Sequence, residues 1–220
     1  MNLFPLFIPL AVTLLLFGTA VGVGRLILRP WRRRFACGID FLTVAAGLGM
    51  AAVSHLILLA GLAGGWRLAG FLPFAAVVLA AGAAGWWFRG QPGPSSTQSE
   101  PDRRRTALEI GCLAVLVLIA AGMALRTVTP PVNYDVLEYP LGAVRHWLRA
   151  GRIERFPHLF YSALPFEVEM WYAMGTFFEG NPLLPAAPKM INFGGFLGTL
   201  LAIYALAGHV CRNRGLRVLA

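Results

Sequence analysis

The stretch RTALEIGCLAVLVLIAAGMALR, residues 105–126, decides the fold class. Between its two terminal arginines, Glu109 is the one charged residue. A helix needs about 20 apolar residues, at about 1.5 Å per residue, to cross a hydrocarbon core of roughly 30 Å. We therefore predict a transmembrane helix over residues 106–126.

Four further apolar blocks of similar length surround this one. They run over Leu3–Leu28, Phe41–Ala63, Leu68–Phe88 and Pro188–Val210. The chain is 57% hydrophobic and only 13% charged, which leaves too few polar groups to cover a water-soluble globule. The sequence predicts an all-α polytopic membrane protein with about five spans. Residues 1–88 would form three transmembrane helices, and residues 188–220 the fifth span with a basic tail.

Arginine clusters set the predicted topology. They follow the first block at residues 25–34, precede the fourth at 103–105 and follow the fifth at 212–217. Because such clusters stay in the cytoplasm, all three agree if the N-terminus is outside and the C-terminus inside. We expect a multi-pass protein of the inner cell membrane. Residues 89–105, rich in Pro, Gly and Ser, would be a flexible cytoplasmic linker, and residues 127–187 an external, periplasmic-side loop.

The net charge of +9 does not indicate nucleic-acid binding, because the arginines lie in short clusters between apolar blocks. Cys37, Cys112 and Cys211 have neither paired nor metal-ligand spacing and are interpreted as small apolar residues. We predict no nucleic-acid partner, no metal and no cofactor, with membrane lipids as the surroundings.

The predicted external loop is long and aromatic, which is typical of a folded functional loop. In its first half, Leu137, Leu141, Val144 and Leu148 keep helical spacing, and Gly151 follows as a stop signal. A second helix is predicted from near Pro165, and its apolar stripe consists of Phe166, Met170, Met174 and Phe177. We expect both to be amphipathic helices on the membrane surface.

Asp135 and Glu138 lie in the motif PPVNYDVLEYP, shortly after the fourth span. One interpretation is a helix capping box, which contributes roughly 0.5 to 2 kcal/mol to stability and no chemistry. The other is a general base acting on an acceptor hydroxyl, a role worth about a hundred- to ten-thousand-fold in rate. The residues alone leave both interpretations open.

The segments NYDVLEYPLGAVRHWLRAGRI, residues 133–153, and YSALPFEVEMWYAMG, residues 161–175, resemble the start of the membrane glycosyltransferases of the GT-C fold. The nearest resemblance is to the aminoarabinose transferases and protein O-mannosyltransferases. That family carries an Asp directly after a span, commonly followed by Glu and, four residues after the Asp, by an aromatic. Asp135 and Tyr139 match, whereas Val136 replaces the Glu.

Members of that family are much longer, and the resemblance covers about residues 106–208. It implies that this chain is the N-terminal portion of an enzyme, or one that a membrane protein partner completes. It also implies sugar transfer from a polyprenyl-phosphate donor to an acceptor outside the cytoplasm.

In that mechanism Asp135 would be the general base and Glu138 a second catalytic carboxylate. Arg145 and Arg149 would bind the donor phosphate, because guanidinium groups bind phosphate in a bidentate manner. Tyr139 would stack on a sugar, and His158 would relay protons or contact substrate. Each has an alternative: arginines that reach lipid headgroups, an interfacial aromatic belt and an interfacial histidine.

Two other classes of protein remain open. A transporter would place ionisable groups within its spans, where His55 is the clearest mid-membrane polar residue. A non-catalytic membrane subunit would bind a partner through the aromatic face of the loop.

Overall fold

The computed structural model describes residues 4–35, 38–87, 107–129, 140–155, 167–179 and 186–210. Within these ranges the chain forms seven α-helices, a short 3₁₀ helix at Arg29–Arg34 and no strand. The helices are α1 (Phe4–Ile27), α2 (Gly38–Leu62), α3 (Leu68–Trp87), α4 (Ala107–Val128), α5 (Pro140–Ala150), α6 (Glu167–Glu179) and α7 (Ala187–Val210). The all-α prediction is confirmed, whereas the predicted linker at 89–105 lies outside the described residues.

Four helices are long and apolar enough to cross a membrane. Their apolar stretches are Phe7–Ile27, Gly38–Leu62, Ile110–Val128 and Ala187–Ala207. The third predicted span corresponds to α3, whose apolar stretch Leu72–Trp87 is shorter than these four. The described helices therefore give four full-length candidate spans and one shorter apolar helix where about five spans are predicted.

Helix α1 packs closely between α2 and α3. At the α1–α2 contact, a Cβ added to Gly49 would overlap the backbone carbonyl of Ala20. At the α1–α3 contact, Gly22 lies directly against Gly82 and Gly85. Small residues allow helix backbones to approach within van der Waals contact, which is how membrane helices commonly associate. The first three helices thus form a tight unit.

The loop helices α5 and α6 pack into the same hydrophobic core as this unit. On α5, Leu141 and Val144 of the predicted stripe are buried together with Trp147, and they share a core with Ile57 and Val53 of α2. The amphipathic character of α5 is therefore confirmed. Its apolar face covers protein.

Helix α6 lies deeper than the surface position that its apolar stripe predicts. All residues from Met170 to Thr176 are buried, so every face of the helix is covered over these two turns. The ring of Trp171 stacks on Phe17 in α1, with 6.5 Å between centroids. The reason is composition: Trp171 and Ala173 lie off the predicted stripe and are apolar too. These apolar faces let α6 insert among α1, α2 and α7.

Helix α4 packs mainly on α7, and its remaining surface is apolar and exposed. Val117, Leu118 and Leu125 are each about two-thirds exposed. At the end of the helix, the ammonium group of Lys189 in α7 donates a hydrogen bond to the carbonyl oxygen of Thr129. This contact holds the C-terminal end of α4 beside the first turn of α7.

Candidate active site on the loop side of the bundle

The turn between α2 and α3 is where the long loop attaches to the bundle. The backbone N–H of Trp66 donates to the carbonyl of Gly151 at 3.1 Å, and the N–H of Ile153 donates to the carbonyl of Gly61 at 2.9 Å. Gly151 ends α5 with a φ of 72°, a conformation that glycine adopts without steric cost. The predicted helix stop is therefore confirmed. Two backbone hydrogen bonds join the loop to the turn.

Trp147 is the main side chain of this attachment. Its ring meets Trp66 edge to face, with centroids 6.1 Å apart and planes at 71°. Its indole N–H donates to the carbonyl oxygen of Glu154 at 2.9 Å, so the chain after α5 folds back along the helix. Because Trp147 is 1% exposed, this contact fixes α5 in position and in rotation.

The two predicted phosphate-binding residues, Arg145 and Arg149, both lie on α5. They are one helical turn apart and share a face. Arg149 is exposed and Arg145 is half-buried. The attachment of α5 through Trp147 gives these guanidinium groups a rigid support, which a phosphate site on a mobile loop would lack.

The other four predicted site residues, Asp135, Glu138, Tyr139 and His158, lie outside the described residues. The structure does, however, describe both flanks of the segment that carries the first three. On one flank Thr129 accepts the hydrogen bond from Lys189. On the other, Leu141 in the first turn of α5 is buried in the core. The described residues on the two flanks therefore lie beside α7 and in the core of the bundle.

A charged cluster follows the end of α5. One carboxylate oxygen of Glu154 lies 3.1 Å from Nε2 of His146, and the other accepts a hydrogen bond from Nε of Arg152 at 2.8 Å. These hydrogen bonds, first that of His146 and then that of Arg152, hold the pKa of Glu154 below its usual value. Sequence reasoning missed this cluster because its members lie on opposite sides of the helix end. The sequence signal was the single carboxylate, Glu154, among the basic residues from Arg145 to Arg155.

Helix α6 brings further polar groups to the interior. Burial raises the pKa of Glu169 above the usual carboxyl value. Burial also raises the pKa of Tyr172 to about 12, the nearby charge of Glu169 adds to the rise, and a hydrogen bond with Asn192 of α7 opposes it. A carboxyl group with a raised pKa near a phenol can take part in proton transfer. Glu169 lies off the apolar stripe that the sequence predicts for this helix, so the stripe did not point to it.

His55 is not an isolated mid-membrane residue. Its Nδ1 lies 2.7 Å from the carbonyl oxygen of Ala51, one turn earlier in α2, and 3.7 Å from a carboxylate oxygen of Glu167 in α6. It therefore connects α2 with the start of α6. This location is peripheral to the core, because both side chains are more than half exposed.

Among the residues that the structure describes, no three His, Cys, Asp or Glu side chains come together to hold a metal ion. Comparisons with protein-family models, with curated proteins and with solved structures found no match for this chain. The fold defines the class of protein: the chain is a multi-span α-helical membrane protein. Part of its long loop, α5 and α6, is folded onto the helix bundle.

Proposed function

We propose that the chain is the N-terminal portion of a membrane glycosyltransferase that moves a sugar from a polyprenyl-phosphate donor to an extracytoplasmic acceptor. The observation that supports this is the rigid attachment of α5. Arg145 and Arg149 lie on one face of that helix, and the segment carrying Asp135 ends at its first residue. The candidate base thus lies a few residues before the helix that carries the candidate phosphate-binding groups and that Trp147 fixes in place.

In the proposed reaction the carboxylate of Asp135 removes the proton of the acceptor hydroxyl. The acceptor oxygen then bonds to the anomeric carbon of the sugar, and the bond between that carbon and the phosphate oxygen breaks. Polyprenyl phosphate leaves with the bonding electron pair. Guanidinium groups of Arg145 and Arg149 stabilise the negative charge that develops on it.

The remaining candidates have supporting roles. Glu138 is the second carboxylate, Tyr139 stacks on the sugar, and His158 relays a proton or contacts substrate. No metal is required, because the arginines supply the positive charge at the leaving group. A membrane protein partner, or further chain, would complete the donor groove.

We also propose that the protein lies in the inner cell membrane with its N-terminus outside, its C-terminus in the cytoplasm and residues 127–187 outside. Two contacts support this topology. The α2–α3 turn packs on α5, so this turn and the loop lie at the same end of the bundle. The arginine-rich 3₁₀ helix at Arg29–Arg34 lies at the other end of α2, as expected for a cytoplasmic cluster.

The topology is tested by cysteine labelling in a variant that lacks Cys37, Cys112 and Cys211. We expect a Ser162→Cys variant to react with a membrane-impermeant maleimide in cells whose inner membrane is intact. A matched Arg33→Cys variant should react only after the membrane is breached. The reverse pattern would contradict the proposed orientation.

The activity is tested with Asp135→Asn, which keeps the size and much of the capping capacity of the side chain. In membrane vesicles supplied with a radiolabelled polyprenyl-phosphate sugar, we expect transfer to fall by about a hundredfold or more while membrane insertion stays normal. Glu154→Gln is the matched control, because Glu154 has a structural role, and it should stay within about threefold of wild type. Full activity of Asp135→Asn would remove this residue from the mechanism.

A non-catalytic membrane subunit is the second candidate, and the exposed apolar surface of α4 favours it. A subunit that binds its partner through the aromatic face of the loop is disfavoured, because Trp147 and Trp171 are already buried within this chain. If the protein is such a subunit, Asp135→Asn leaves co-purification with its partner unchanged. Polar substitutions on α4, such as Leu118→Gln, should then reduce co-purification.

A further inference from the structure

A second cationic site lies at the end of the bundle opposite the long loop. There α1 passes into the 3₁₀ helix, and the starting turn of α2 and the last turn of α3 close the sides. The cleft is a shallow depression open to solvent, with a cavity volume of about 20 Å³. Its lining residues are Arg25, Leu26, Arg29, Arg32, Phe41 and Gly85. Three of these six carry guanidinium groups.

Arg25 is held in place by an anchored aromatic ring. Its guanidinium carbon lies 4.5 Å from the centroid of the Trp86 ring. The indole N–H of Trp86 in turn donates to the carbonyl oxygen of Gly18 in α1 at 2.8 Å. Since a cation stacked on a fixed ring has little freedom, Arg25 is pre-organised at the wall of the cleft.

Arg32 is supported in the same way from the other side. Its guanidinium carbon lies 5.5 Å from the centroid of the Phe41 ring, and Phe41 is buried against Phe35 with 5.3 Å between ring centroids. The Nε of Arg32 is buried and has no hydrogen-bond partner among the residues that the structure describes. A buried donor of this kind favours a ligand that supplies an acceptor.

The charge at this end is strongly positive. Residues 25–41 contain five arginines and one carboxylate, Asp40. Arg25 and Arg32 both line the cleft, so their positive charges repel each other across it. A bound anion reverses that repulsion, because oxygen atoms bridging two guanidinium groups form charge-assisted hydrogen bonds with both.

We propose that this cleft binds the phosphate group of an anionic ligand, either the headgroup of a phospholipid or free phosphate. The proposal does not depend on the glycosyltransferase assignment, because the cleft and the loop lie at opposite ends of α2. It differs from the ordinary attraction of arginines to headgroups, which is diffuse and does not distinguish one arginine from the next. A built site requires Arg25 and Arg32 and not their exposed neighbour Arg33.

The test is native mass spectrometry of the full chain in detergent micelles, titrated with phosphatidylglycerol. Phosphatidylcholine, whose choline offsets the phosphate charge, is the reference lipid. We expect one phosphatidylglycerol to remain bound and Arg32→Gln to weaken its binding by about tenfold, the usual effect of losing a charge-assisted hydrogen bond. Arg33→Gln, the matched control from the same 3₁₀ helix, should weaken it by less than about twofold.

Inorganic phosphate identifies the source of the ligand. If phosphate alone binds and displaces the lipid from wild type but not from Arg32→Gln, the site takes free phosphate. If it does not, the lipid headgroup is the ligand. Equal weakening by Arg32→Gln and Arg33→Gln, or no retained lipid and no bound phosphate in wild type, would overturn the proposal. If Arg32→Gln does not fold, Arg25→Gln takes its place in the test: it should weaken lipid binding more than Arg33→Gln does, and equal weakening would overturn the proposal.

Discussion

Replacing Trp147 by Ala should release the loop from the bundle while leaving the spans folded. Trp147 is 1% exposed, packs edge to face on Trp66 and donates to the carbonyl of Glu154. Removing a buried Trp side chain costs about 3 to 5 kcal/mol, a figure that includes the aromatic pair and the cavity left behind. At about 1.4 kcal/mol per factor of ten, the open form of the loop becomes roughly a hundred- to a few-thousand-fold more populated.

Limited trypsin digestion measures this opening, because Arg149 and Arg152 follow Trp147 in the chain and trypsin cleaves after them only when the surrounding backbone unfolds locally. Mass spectrometry of the peptides gives the rate of cleavage after these arginines. When the loop opens and closes faster than trypsin cleaves, this rate rises in proportion to the population of the open form. Trp87→Ala is the matched control, since Trp87 is 84% exposed and lies at the far end of α3. A cleavage rate in Trp147→Ala equal to that of Trp87→Ala would refute the attachment of α5.

Three further outcomes follow from individual contacts. Gly49→Ala should destabilise the protein by about 1 to 3 kcal/mol, because the added Cβ overlaps the carbonyl of Ala20, and unfolding in mixed micelles measures this. Glu179→Gln should cost about 0.5 to 2 kcal/mol in the same assay, because the carboxylate of Glu179 accepts the N–H groups of Ala186 and Ala187 at 2.9 Å at the start of α7. For Glu154, the lowered pKa means that its ion-pair contribution is present above the ordinary carboxyl value of 4.5 and is lost as pH falls below it. Loop proteolysis by an acid-active protease should therefore increase below that pH in wild type and less in Glu154→Gln.

Each of these has its own control. Gly47→Ala, on the same helix with nothing within 4 Å of its added Cβ, should be neutral or slightly stabilising. Equal losses for the two glycine variants would mean that α1 and α2 do not approach as described. For the cap, an equal loss in Glu167→Gln, at the exposed start of α6, would show that charge and not capping matters. A Glu154→Gln profile identical to wild type would remove its ion pair from loop stability.

The apolar spans were predictable because length and hydropathy determine which segments cross a membrane. The same spacing rule predicted the stripe of α5, and Gly151 marked its end. The burial of α6 was not predictable from its apolar stripe. A stripe of apolar residues at every third or fourth position shows which face of a helix is buried, but it does not show whether the remaining faces are also covered. Trp171 and Gly175 let α6 enter the bundle, where Phe17 and Ile191 pack against it.

The candidate site was predictable only in part. Arg145 and Arg149 share a face because helical spacing requires it, and their place on a fixed helix depends on Trp147. The contacts of Glu154 depend on the chain folding back after Gly151, which a helix-stop signal does not determine. The raised pKa of Tyr172 depends mainly on its burial in the bundle, which is set by elements remote in sequence and which the hydrogen bond with Asn192 of α7 opposes.

The central claim is that the loop side of the bundle binds a polyprenyl-phosphate sugar, and photo-crosslinking tests it most directly. A donor analogue with a photoreactive group beside its phosphate is irradiated with the protein in membranes, and the labelled residues are mapped by mass spectrometry. The account predicts labelling within residues 127–155, and excess unlabelled donor should prevent this labelling. The double variant Arg145→Gln with Arg149→Gln should reduce the labelling, whereas Asp135→Asn should leave it unchanged. Labelling confined to residues 25–41, or absent from the loop side, would contradict it.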